Sequence, residues 1–286
     1  MSFDLHFYCG DVLLGGWDGL FAWAAERPAF TRRAQPNGGF SLVYENPDTG
    51  VYFTLLQAHP PPLNAATRAL SPAYLSANLN YARCRFFALE VMDVIVDLVA
   101  KLSLVVYDPQ SGFVGKPTAA SLVESWCRGN QHAVAAIRAR EPGFAPWMDT
   151  RAAEGFWRYR AAHPSLKARY GGDGLVPQLV AVRRGDRALR IAHLPKPCIY
   201  VVPPTDLFFI DRGEGALVVG AEQVRAALGH LFVPLAEVEG AHLVPETKIF
   251  DASAMDAWDR FHAEVGVEGP LKALYQGVAA DGFVDC

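Results

Sequence analysis

The chain has 286 residues, 51% of them hydrophobic and 20% charged, with 26 basic against 30 acidic side chains. This composition excludes a disordered segment, a collagen-like repeat, a disulfide-stapled miniprotein and a histone-like polycation. A chain of this length buries roughly 75% of its unfolded surface, enough for one large or two modest cores.

From the start, Phe3, Leu5, Phe7 and Cys9 alternate with Asp4, His6 and Tyr8, the period of a half-buried strand. Trp17 to Glu26 reads as a short helix with Trp17, Leu20, Phe21 and Ala24 on one face, ended by Pro28. Phe40 to Glu45 and Val51 to Gln57 are β-rich runs joined by Asn46-Pro47-Asp48-Thr49-Gly50, a hairpin signal because Pro fixes φ early and Gly accepts φ > 0 at the end. Pro60-Pro61-Pro62 predicts an extended loop. Tyr74 to Tyr81 reads as a weaker strand, Phe86 to Leu102 as a helix, and Leu104 to Tyr107 as a buried strand closed by Asp108-Pro109. This order implies a split βαβ-like sandwich with two helices on one sheet face.

Residues 118 to 170 read as a helical connector. One helix is capped by Thr118 and runs to Pro142; a second starts near Asp149 and ends before His163-Pro164. Gly171-Gly172-Asp173-Gly174 then predicts a flexible joint. Beyond it, Leu179 to Arg183 and Ala188 to His193 flank a tight Gly185-Asp186 turn, and Cys198 to Val202 and Leu207 to Ile210 form a second strand pair. Ala216 to Val219 is a strand, Glu222 to Leu228 a helix and Leu231 to Leu235 a further strand, with closing helices near Ser253 to Glu264 and Pro270 to Val278. The predicted class is α+β, divided into an α+β domain (1–117), the connector (118–170) and a second, mixed α+β half (171–286). Net charges are −2, +4 and −6 in these three segments.

Among chemical signatures, the G-x-S-x-G elbow, H-E-x-x-H, the phosphate-binding G-x-x-x-x-G-K-[ST] and the deaminase pattern do not occur. Five scattered cysteines, Cys9, Cys84, Cys127, Cys198 and Cys286, include no C-x-x-C pair, so no metal site or disulfide framework is predicted. Gly213-Glu214-Gly215 precedes a strand, whereas a pyrophosphate loop must open a helix; no cofactor is expected. Glu90, Asp93 and Asp97 share a helix face and read as a solvated stripe opposite Phe87, Val91, Val94, Ile95 and Leu98, with a metal between helices as the alternative. Arg151, Arg158, Arg160, Lys167 and Arg169 with Trp157 and Tyr159 make a basic aromatic helix, but the acidic flanks argue against nucleic acid. No apolar run approaches the ~18 residues of a membrane helix, and Met1 to His6 lacks the n- and h-regions of a secretory signal, so a cytoplasmic chain without a membrane partner is expected.

Two groups remain as candidate binding residues. Tyr107, Asp108 and Gln110 end a buried strand, and Trp126 and Asn130 share a helix face; together they line a cleft or simply close a turn, the second being favoured. His242 lies between Glu239 and Glu246 and is either a structural hydrogen-bonding group or the centre of a hydrolase or transferase site.

Phe3-Asp4-Leu5-His6-Phe7-Tyr8, Glu45-Asn46-Pro47-Asp48-Thr49-Gly50-Val51-Tyr52-Phe53, and Val105-Val106-Tyr107-Asp108-Pro109-Gln110 with Trp126 and Asn130 resemble bacterial immunity-type proteins encoded beside polymorphic or contact-dependent toxins. The resemblance spans residues 1–130. It implies a non-enzymatic module whose partner is a cognate toxin or effector, neutralised by covering its active site; it assigns no residue roles.

Overall fold

A computed structural model describes residues 1–9, 16–36, 38–59, 67–211, 216–265 and 269–286. The Pro60–Pro62 run and the Gly213–Gly215 turn lie outside these residues. The class is α+β, and the chain divides into two units, Met1–Phe144 with Cys286, and Ala145–Asp285.

The first unit contains β1 (Ser2–Cys9), α1 (Gly16–Ala25), β2 (Phe30–Ala34), β3 (Phe40–Glu45), β4 (Tyr52–Gln57), β5 (Ser71–Asn80), α2 (Arg85–Lys101), β6 (Val105–Asp108), β7 (Phe113–Gly115) and α3 (Ala119–Arg138). The strands form one sheet in the order β2-β3-β4-β5-β1-β6-β7. Strand β1 pairs antiparallel with both β5 and β6, so β5 and β6 run parallel to each other on either side of it. With α2 linking them, this is the split βαβ arrangement. Phe3, Leu5 and Phe7 are buried, as are Leu75, Ala77 and Leu79 opposite them, because side chains at every second position share one face.

Helix α2 buries Phe86, Phe87, Val91, Met92, Ile95 and Leu98. Of its three carboxylates Asp93 and Asp97 are exposed, as a solvated stripe requires, and Glu90 is half-buried. Glu90 Oε1 accepts from Tyr44 Oη (2.8 Å), Asn46 Nδ2 (2.8 Å) and Thr49 Oγ1 (3.2 Å), which fastens the β3–β4 hairpin turn to the helix. Asp97 accepts from the Trp23 indole of α1 at 2.7 Å and from Arg27, while Asp93 is exposed. Long-range donors thus take up two of the three, which spacing along one helix does not reveal. Gly50 closes the hairpin turn at φ 78°, as Gly's lack of a Cβ permits. Strand β2, whose pattern of one half-buried and four exposed residues shows no alternation, has no period-2 signal by which to be recognised.

Residues 118–170 do not form a body of their own. Helix α3 belongs to the first unit, with Leu122, Val123, Trp126, Ala133 and Val134 buried. The following helix belongs to the second unit, so the division falls at 144/145 rather than at 117/118 and 170/171. The Gly171–Gly174 segment lies inside the second unit: Gly171 caps a helix and Gly174 starts a strand.

That unit contains α4 (Thr150–Tyr170), β8 (Gly174–Leu175), β9 (Val180–Arg184), β10 (Arg187–His193), β11 (Ile199–Val202), β12 (Leu207–Asp211), β13 (Ala216–Gly220), α5 (Ala221–Leu228), β14 (Val233–Pro234), β15 (His242–Val244), α6 (Glu246–Ile249), α7 (Ala252–Glu264), β16 (Gly269–Pro270), α8 (Leu271–Leu274) and β17 (Gln276–Val278). Two sheets result, β16-β13-β12-β10-β9-β17 and β14-β15-β11-β8. The expected pairing of β11 with β12 does not occur: β12 instead runs parallel to β10, and β11 pairs with β15 and β8. The expected helix at 270–278 is a four-residue turn of helix followed by β17, which pairs with β9. Helix α4 passes through Pro164 instead of stopping before it. Proline there removes an N–H and crowds the preceding turn, but Tyr159 and Leu166, buried on either side, hold the helix by packing. The core of the larger sheet is Val182, Ile191, Leu207, Val218 and Tyr275.

Candidate functional site

In the first unit the candidate residues are absorbed by the fold. Asp108 is 1% exposed; its carboxylate accepts from Gln110 N (2.9 Å), Ser111 Oγ (2.7 Å) and Ser125 Oγ of α3 (2.6 Å). The Gln110 amide, in the orientation its neighbours satisfy, donates to Asp108 Oδ1 (2.6 Å) and to the Asp4 carbonyl (3.2 Å). This is the side-chain-closed turn that Asp-Pro-x-Ser chemistry builds. Asn130 is 2% exposed; its Oδ1 accepts from Ala82 N (2.6 Å) and its Nδ2 donates to Arg83 O (2.8 Å), holding Ala82 at φ 61°. Trp126 is fully buried, its ring near Tyr81 at 6.1 Å, and its indole N–H has no acceptor among the described residues. Tyr107 sits half-buried beside His6, ring centroids 6.3 Å apart.

The polar face of the sheet was not foreseen as a group. His6 Nδ1 lies 2.8 Å from Ser76 Oγ, and Asp4 accepts from Asn78 Nδ2 at 2.6 Å. Burial lowers the His6 pKa against the pull of Asp4. The Asp4–His6–Tyr8 alternation carried the signal, but cross-strand partners 70 residues away are set by register.

In the second unit the three candidates near 240 separate. His242, half-buried on β15, has its ring 6.1 Å from that of Phe232. Burial lowers its pKa, as does the Arg225 charge, with a main-chain hydrogen bond at Gly240 opposing. Glu246 lies in the first turn of α6. Glu239 instead joins a cleft of about 630 Å³, formed by the start of α4, by β10 and by the turns near 204–206 and 239–240.

Four guanidiniums and four carboxylates line this cleft: Arg151, Arg158, Arg187 and Arg190 with Asp149, Glu154, Asp206 and Glu239. Asp206 Oδ2 accepts from Arg190 N (2.8 Å) and Nε (3.1 Å) and Oδ1 from Arg190 Nη2 (2.7 Å), the fork geometry that makes Arg–carboxylate pairs strong. Thr205 Oγ1 donates at 2.8 Å to the Arg190 carbonyl, fixing the turn that presents Asp206. Arg158 meets Glu154 at 3.2 Å and Glu239 at 3.0 Å. Asp149 caps α4 through Ala152 N at 3.2 Å. Arg187 lies over the Trp147 ring, 5.4 Å from its centroid, as guanidinium planes favour. The basic helix 151–169 contributes Arg151 and Arg158 here; Arg158 pairs with Glu154 of the same helix and with Glu239 from a distant turn. A second cavity, about 850 Å³, is lined by His193 and Asp211 at the ends of the parallel strands β10 and β12 and by Trp258, Asp259 and His262 of α7; burial lowers the His193 pKa. Among the described residues no group of three or more His, Cys, Asp and Glu is placed to hold a metal, and no helix is long and apolar enough to cross a membrane.

No family model, curated protein or solved structure matches the chain.

Proposed function

We propose that the chain is a non-enzymatic protein-binding module of the immunity type, neutralising a bacterial toxin or effector in the cytoplasm by covering its active site. The observation that carries this reading is the chemistry of the Arg-rich cleft. Its lining consists of Arg, Asp and Glu with Ala, Gly, Leu, Met and Pro: four guanidiniums interleaved with four carboxylates, each carboxylate already bonded within the chain. Interleaved charges of both signs suit orientation and discrimination between protein surfaces, where complementarity sets partner choice. The resemblance of residues 1–130 to immunity-type proteins supports the same reading.

The test is affinity purification of the full chain from the source bacterium, with mass spectrometry and stoichiometry of whatever co-elutes. A one-to-one toxin-like partner, whose activity falls on adding the purified chain, is the expected result. Recovery of no stoichiometric partner overturns the proposal.

A further inference from the structure

The charges of the cleft do not cancel in place. Each of its four carboxylates is engaged within the chain: Asp149 by the α4 N-cap, Asp206 by Arg190, and Glu154 and Glu239 by Arg158. Two of its four guanidiniums are not. Arg151 and Arg187 are both exposed and have no carboxylate partner among the described residues. They come from different elements, the first turn of α4 and the first residue of β10.

Arg151 lies in the first turn of α4, whose N-terminal end is already met by the Asp149 carboxylate as its cap, so its guanidinium is the group left for an incoming anion. Arg187, with its guanidinium carbon 5.4 Å from the Trp147 ring centroid, is exposed and carries the planar fork of N–H donors that suits a carboxylate. Glu239 has 83% of its side chain exposed, so an incoming carboxylate can exchange with it on Arg158.

We propose that this cleft docks an acidic segment of the partner protein, with two carboxylate side chains received by Arg151 and Arg187. The assignment rests on the protein-binding reading above and adds the chemistry of the partner. A phosphate ion presents similar oxygens, but reaching guanidiniums on two separate elements suits a chain that carries several carboxylates.

The probe is a fluorescein-labelled hexaglutamate peptide, followed by anisotropy against the full chain at about 50 mM salt, where exposed charges are weakly screened. Saturable binding is expected, about ten-fold weaker in R151Q/R187Q, as two exposed ion pairs contribute, with hexalysine not binding. Both residues are exposed, and matching melting temperatures confirm that the variant folds. Equal binding by wild type and R151Q/R187Q overturns the proposal, as does displacement by inorganic phosphate at the same carboxylate-equivalent concentration. In the affinity purification, recovery of the same partner by R151Q/R187Q and wild type in equal amount overturns the acidic-segment assignment and leaves the protein-binding reading standing. A wild type that binds hexaglutamate yet recovers no partner overturns that reading, and with it the attribution of the segment to a partner.

Discussion

Asn130→Ala tests whether the buried polar groups of the first unit serve folding. The mutation removes the acceptor of the Ala82 N–H at 2.6 Å and the donor to the Arg83 carbonyl at 2.8 Å. The bond to the Arg83 carbonyl contributes about 1 kcal/mol, and the buried Ala82 N–H left without a partner costs about 1–3 kcal/mol. Ala82 is 6% exposed and holds φ 61°, a conformation that persists only where its surroundings enforce it. The sum is a loss of about 3 kcal/mol. For a unit of this size each kcal/mol shifts the melting temperature by about 2–4 °C, so calorimetry should show the first unit melting about 6–12 °C lower. Arg128→Ala on the same helix is the control: it breaks an exposed i,i+4 pair with Glu124 and should change stability by under about 0.5 kcal/mol. An Asn130→Ala transition within about 1 kcal/mol of that control refutes the argument.

Glu90→Ala should cost the first unit about 2–3 kcal/mol, read by urea denaturation, because Tyr44, Asn46 and Thr49 all lose their acceptor. Asp206→Ala should lower the second unit's stability by about 2–3 kcal/mol in the same assay, since Arg190, with 14% of its side chain exposed, is left without its fork partner. Stability should also fall at alkaline pH. Tyr81 is pushed up from 10 to about 12 by burial and then by the Asp108 and Asp4 carboxylates, and Tyr44 is raised by burial and Glu90. The fold favours their neutral forms, so this contribution is complete below pH 10 and is lost as pH rises from 10 through about 12; constant urea midpoints across that range would contradict it. Acid acts through His6, His193 and His242, whose pKa values burial lowers from 6.5. Their neutral forms suit the fold, so stability is full above pH 6.5 and declines as pH falls below it, a trend that thermal melts at pH 5 to 8 would show.

The first unit was largely legible because its signals are local. The alternation in β1, the Asn46–Gly50 turn and the apolar face of α2 each declare themselves within a dozen residues. What escaped depends on distant partners. Glu90 reads as a surface carboxylate until the hairpin turn folds onto it, and Asp97, which stays exposed, gives no sign of the Trp23 indole that it holds. In the second unit, β11 and β12 look like hairpin partners across Pro203-Pro204, yet adjacent strands there enter different sheets, a choice made by which apolar faces pack. The cleft residues are visible singly, as a basic stretch in α4, as Glu239, and as Arg190 in a predicted strand. Their convergence is not, since the turn at Thr205 brings Asp206 back onto Arg190.

The place of β1 between β5 and β6 has a consequence for how the molecule is made. His6 faces Ser76 on one side and Tyr107 on the other, so β1, made before both of its partners, becomes central only after they are complete. β1 has two open edges until Asn80 has been synthesised and keeps one until Asp108 has been synthesised, and such edges recruit other chains. Closing loops of this length before any pairing is gained slows assembly. Biogenesis of this unit is therefore expected to be slow and temperature-sensitive, and holdase chaperones should bind nascent β1 until β6 is released.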